Sequence, residues 1–212
     1  MPEAQPIDIS RILSPTIPIW PGDTPFSKEF KSMLHDGDLV NLTTLTVSSH
    51  TGSHADAPYH VVDHDATIDQ VNLYPYWGVA QLITVEKEDG PLFPEDLRGY
   101  DMTRAPRLLV RTPLAQKPIN LFSEQYPYPS PALVELLQTS GIILYGTDAF
   151  SVDAFDSTTL PGHKALIAAG IAILEGLDLR SVRDGLYELV ALPLRIAGGD
   201  GSPVRAALRP LS

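Results

Sequence analysis

The sequence predicts a mixed α/β fold dominated by strands, on three observations. Segments rich in β-branched residues and Leu, bounded by turn residues, recur along the whole chain. Only two stretches carry the start and stop signals of a helix. Twenty Pro and 15 Gly are scattered with no fixed period, which predicts shaped loops and argues against a repeat array or a low-complexity linker. With 212 residues, 43% of them hydrophobic, one domain spanning 1–212 is expected, since a chain of this size buries roughly 70% of its unfolded surface.

Strands are expected at 7–13, 40–48, 79–85, 108–112, 142–145, 171–175, 189–194 and 204–208. In 40–48 the alternation is imperfect but closer to a period of two than to a helical one. The clearest helix is 131–140: Ser130 is placed to cap it, Pro131 suits its first position, Leu133, Leu136 and Leu137 form one stripe, and Gly141 follows its end. A second helix is expected from about Gly162 to Gly170.

Composition excludes several classes. Fifteen Lys and Arg against 26 Asp and Glu give a net charge of −11, which disfavours nucleic acid and anionic lipid as partners. The longest run of apolar and small residues, 165–174, falls far short of the roughly 20 residues a membrane helix needs. Met1 to Ser10 carries Glu3 and Asp8 with no basic cluster before an apolar run, so no secretory signal is expected and the cytoplasm is the default location. The absence of Cys removes disulfides, thiolate nucleophiles and Cys-based metal sites; any metal must use His and carboxylates.

Four of the six histidines fall between positions 50 and 64. His50, His54, Asp56 and His60 occupy even positions, so an extended segment would turn all four to one face. Gly52 and Pro58 argue against the helix that would also pair His50 with His54. Imidazoles and a carboxylate converging from one segment suit a divalent first-row metal, Zn or Mn first among them; the plainer alternative is a solvated His-rich loop. His163 follows Pro161-Gly162, and Glu175 ends the apolar run 171–174. Alone, Glu175 reads as the first exposed residue after a strand, and both gain meaning only beside the first cluster. Trp20, between Pro18 and Pro21-Gly22, is either a substrate-stacking residue or a buried core Trp. His35 and His64 read as turn and solvated-loop residues.

The run from His50 to His60, the stretch Pro18 to Pro25, the His163 to Glu175 spacing and the tail from Glu188 to Leu194 together resemble the cyclase-type metal hydrolases. The likeness spans 7–208 and is nearest to the bacterial kynurenine formamidase (arylformamidase) branch; Ser53 departs from the Thr common at that position. The resemblance implies a swivelling β/β/α-type fold, a homodimer and two Zn ions per chain. His50, His54 and Asp56 would ligate the first metal and Asp56 would bridge. His163 and Glu175 would complete the second site, His60 would donate and accept protons, and Trp20 would line the substrate pocket.

The implied reaction is hydrolysis of N-formyl-L-kynurenine to L-kynurenine and formate in tryptophan degradation. Metal coordination lowers the pKa of water to about 7, and a His titrating near neutrality protonates the departing aryl amine. His60 read as a third ligand is the alternative to that role. Competing functions are hydrolysis of a cyclic amide such as isatin and a metal-storage module without catalysis.

Overall fold

The computed structural model describes residues 5–211; Met1 to Ala4, with Glu3 of the N-terminal reading, lie outside them. Thirteen strands and two α-helices are present among the described residues, a mixed α/β, strand-dominated fold as expected. Nine strands form one mixed sheet in the order β1 (Ile7–Asp8), β13 (Ala207–Pro210), β11 (Gly185–Val190), β5 (Trp77–Thr84), β7 (Arg107–Arg111), β9 (Leu144–Thr147), β10 (Ala172–Glu175), β4 (His54–Asp56), β12 (Gly201–Pro203). β5, β7, β9 and β10 run parallel, and the strands flanking them pair antiparallel.

Period-two patterning sorts the core onto the sheet's two faces. In β7, Leu108 and Val110 join a cluster with Tyr145 and Ile173, whereas Leu109 points the other way to Leu82, Leu144 and Leu174. The first face is covered by α1 (Pro131–Thr139) through Leu133, Val134 and Leu137 and by α2 (Pro161–Ala168) through Leu166. The second cluster draws Ala55 from β4 and Leu189 and Leu208 from β11 and β13, so both ends of the sheet curl over one core. A parallel pair needs a crossover, and α2 supplies it between β9 and β10.

α1 carries the anticipated signals: Ser130 Oγ accepts from Leu133 N–H at 3.1 Å and Gly141 follows with φ +79°. Several boundaries differ. The 7–13 strand shrinks to two residues, 189–194 ends at Val190, and 204–208 splits into a bridge at Val204 and β13. The 40–48 strand narrows to β3 (Leu42–Thr46), which pairs only with β2 (Ser27–Ser32) as a hairpin outside the main sheet. Its imperfect alternation reflects exposure along its whole length. β6 (Gly90–Leu92) and β8 (Pro127–Pro129) form a separate parallel pair; like β2 and β12 they escaped the sequence reading, β6, β8 and β12 being too short at three residues for periodicity to register, whereas β4 falls within the segment 50–60 read as extended.

Candidate metal centre and aromatic cavity

The segment 50–60 is not one extended strand. His50 lies in a turn, only His54 to Asp56 are strand, and Pro58–His60 is a 3-10 turn. Gly52 at φ +72° and Pro58 break the extension, so the common face of the even positions is replaced by a loop, a strand and a turn wrapped around one point. Register then brings in the distant residues. Glu175 of β10 stands opposite His54 of β4, and Asp56 stands opposite Gly201 of β12.

Three imidazoles converge on two buried carboxylates. His54 Nε2 lies 3.4 Å from Asp56 Oδ1 and 3.3 Å from Glu175 Oε2; His163 Nε2 lies 3.4 Å from Asp56 Oδ2 and 3.3 Å from Glu175 Oε1; His50 Nδ1 lies 3.0 Å from Asp56 Oδ1. The opposite nitrogen of each ring has a different oxygen. His54 Nδ1–H donates to Gly52 O at 3.0 Å, His163 Nδ1–H to Asp153 Oδ2 at 2.7 Å, and His50 Nε2–H to Asp200 Oδ2 at 3.1 Å. Such outer partners fix the tautomer and leave the inner nitrogen as a lone pair. Glu175 is buried, so the exposed reading of that residue fails; its Oε1 also accepts from Val152 N–H at 2.8 Å.

The centre needs a cation. His54 Nε2 and both oxygens of Asp56 are buried without a hydrogen-bond partner among the described residues, a cost of roughly 1–3 kcal/mol per group. Burial disfavours the charged forms here, yet the mutual pull of acid and base outweighs it: His54 is pushed up to about 10 by Asp56 and Glu175, and Asp56 is held well below the carboxylate range by His163, His50 and His54. In the metal-free protein, protons therefore take the place of a cation. His50, His54 and Asp56 form one group with metal-ligand spacing, and Asp56, His163 and Glu175 form another. The donor set fits a divalent metal ion, as nitrogen and oxygen ligands with no sulfur suit Zn, Mn or Fe.

Above the centre opens a cavity of about 500 Å³. His60 lies on its rim, its side chain 30% exposed, its ring 4.0 Å from that of His50 and its Nδ1 3.6 Å from Asp200 Oδ2. Burial lowers its basicity, only partly offset by Asp56. Trp20 is 36% exposed, which rejects the buried-core reading; its ring stands 5.1 Å from Phe155 and edge-on to Phe122 at 5.7 Å. Arg11 donates to the carbonyls of Gly176, Ile119 and Asp148 and lies over Phe150 at 4.8 Å, tying the aromatic wall to the end of β10.

All seven residues singled out from the sequence line or floor this region. His35 and His64 are exposed and away from it, as read. Asp153, Asp200, Phe122, Phe150 and Phe155 were missed. Asp153 precedes a turn without glycine and Asp200 precedes β12, neither with a spacing signal, and only the Gly198-Gly199-Asp200-Gly201 context hinted at a shaped acid.

A buried nitrogen and carboxylate centre under an aromatic cavity defines a metal-using hydrolytic class of site. The chain belongs to the Cyclase family, whose model matches residues 7–154. It is similar to a kynurenine formamidase of Salinibacter ruber, 41% identical over 204 residues and 96% of each chain. Among solved structures it is similar to one described as a potential metal-dependent hydrolase with cyclase activity (TM-score 0.84, 23% identity, 98% of each chain). It also matches isatin hydrolase A of Labrenzia aggregata bound to benzyl benzoate (TM-score 0.81, 25% identity, 99% of this chain and 94% of that one).

Proposed function

We propose that the protein is an arylformamidase that hydrolyses N-formyl-L-kynurenine to L-kynurenine and formate. The observation that carries this is the convergence of three imidazole nitrogens on Asp56 and Glu175 at the floor of an aromatic-walled cavity. Similarity to a kynurenine formamidase along 96% of the chain supports the substrate.

His50, His54 and Asp56 would hold one divalent ion and His163 with Glu175 a second, Asp56 bridging; two Zn per chain is the proposed complement. Bound there, the ions supply Lewis acidity toward a formyl carbonyl and acidify water. The remaining work belongs to the chain. His60, kept neutral near pH 7 by its partial burial, accepts a proton from water and delivers it to the aryl nitrogen as the C–N bond breaks. Trp20, with Phe155 beside it, presents a face to the aryl ring and keeps water from that side. The β2–β3 hairpin exposes Phe30 and Leu45 on one face and Leu42 on the other, apolar positions available to the proposed homodimer. No helix among the described residues is long and apolar enough to cross a membrane, and a net charge of −11 suits a small-molecule substrate better than nucleic acid. A cytoplasmic location completes the proposal.

Following formate release from N-formyl-L-kynurenine and ring opening of isatin, before and after chelation and after zinc is restored, tests the reading. Zinc-dependent formate release exceeding isatin opening is expected. Preferential opening of isatin moves the protein to the cyclic-amide reading, and no hydrolysis with metal fully loaded moves it to storage.

A further inference from the structure

We propose that Asp200 is a positioning residue that sets the rings of both His50 and His60, joining the metal-ligand candidate to the acid–base candidate through one carboxylate oxygen. The inference rests on the functional reading above for the role of His60, but its first observation stands apart from any substrate. Each of the three converging imidazoles has one outer oxygen partner, Gly52 O for His54, Asp153 for His163 and Asp200 for His50. The first two come from nearby in the chain, Gly52 two residues before its ring and the buried Asp153 ten residues before its own; Asp200 comes from 150 residues away, and its side chain is 43% exposed on the cavity side.

The carboxylate is itself aimed. Ser49 Oγ–H donates to Asp200 Oδ1 at 2.8 Å, which leaves Oδ2 to accept from His50 Nε2–H at 3.1 Å and to stand 3.6 Å from His60 Nδ1. The two rings lie 4.0 Å apart, so the oxygen that accepts from His50 also stands beside the His60 ring, near enough to bias it electrostatically although no hydrogen bond joins them. Gly201 makes the approach possible: a Cβ there would come 2.8 Å from His50 Cε1. By accepting from Nε2–H, Asp200 holds a proton on the outer nitrogen and turns Nδ1 inward beside Asp56, where it can share a proton with that carboxylate or, once deprotonated, serve a metal ion.

The test compares Asp200→Ala and Asp200→Asn in the zinc-loaded protein, with two readouts. Nitrogen-15 NMR of the histidine rings is expected to show a protected Nε2–H on His50 in the parent, lost in Asp200→Ala and kept in Asp200→Asn, whose amide oxygen still accepts. Formate release is expected to fall roughly 10- to 100-fold in kcat for Asp200→Ala with KM within about twofold, and to recover in part in Asp200→Asn. An unchanged His50 Nε2–H signal in Asp200→Ala overturns the positioning of His50, whatever the substrate proves to be. Retained kcat, or equal losses in the two variants, overturns the link to His60. If no formamide is hydrolysed by the parent, the functional reading fails while the NMR result still decides the His50 half.

Discussion

The Oδ2 oxygen of Asp153 meets His163 twice, accepting from its ring Nδ1–H at 2.7 Å and from its backbone N–H at 3.0 Å, while Oδ1 takes the N–H of Gly162 at 2.6 Å. One side chain thus caps the start of α2 and fixes the tautomer of the imidazole that the helix carries. Leu160, the residue before the helix, offers no side-chain cap of its own. Replacing Asp153 with Ala is expected to weaken metal binding about 10- to 100-fold and to cost about 1 kcal/mol of stability. Competition against a chelator and denaturant unfolding of the metal-free protein read the two effects separately; metal affinity equal to that of the parent would reject the coupling.

His60→Ala is expected to lower kcat by roughly 10²- to 10⁴-fold while the protein retains its metal. Because burial depresses the basicity of His60, the acid limb of kcat/KM should fall below pH 6.5 in the parent and vanish in the variant. Metal loss matching that of His54→Ala would make His60 a ligand instead.

Trp20→Ala should raise KM roughly tenfold with little change in kcat, since a half-exposed ring at the cavity wall contributes uniform binding rather than transition-state contact. Thermal unfolding within a few degrees of the parent should accompany it. A collapsed unfolding temperature would return Trp20 to the core.

Asp148 is buried, and burial pushes its carboxyl up to about 7 even though both its oxygens accept from Thr112 N–H. A carboxyl whose pKa is raised on folding binds its proton more tightly in the folded state, so stability declines as pH climbs from the unfolded value of about 4 to about 7. Asp148→Asn should flatten that decline and raise the unfolding temperature at pH 8. Unfolding curves of both proteins at pH 4, 6 and 8 check it, and parallel curves would place the charge of Asp148 elsewhere.

Metal capture should release protons. His54, held up to about 10 in the metal-free protein, must lose its proton to ligate, so affinity should rise with pH and calorimetry in buffers of differing ionisation heat should show net proton release at pH 7. The metal-free protein behaves oppositely: the support His54 gives is complete below its unfolded value of 6.5 and is lost as pH rises toward 10. Absence of proton release would mean that the centre is already deprotonated.

The donors were legible because chemistry crowds them. His50, His54, Asp56 and His60 sit within eleven positions, and no Cys competes. What their spacing could not convey was shape: glycine and proline turn the run into a loop, strand and turn, and the common face arises from tertiary wrapping rather than from alternation. α1 was visible because its cap, first-position Pro and terminal Gly act locally. β12 was not, and β4 only as part of a longer extended run, since three-residue strands take their register from neighbours. Asp153 and Asp200 were hidden for the same reason, being defined by partners 10 and 150 residues away.

The pairing of Asp56 with Gly201 and of His54 with Pro203 makes the centre depend on the far end of the chain. A chain synthesised only as far as Glu175 already carries every candidate ligand, yet β4 still lacks its outer neighbour and His50 has no acceptor for Nε2. His54 and His163 find their outer partners, Gly52 and Asp153, within the first 175 residues, so the last strand of the sheet edge completes the orientation of one ring, His50, rather than of all three.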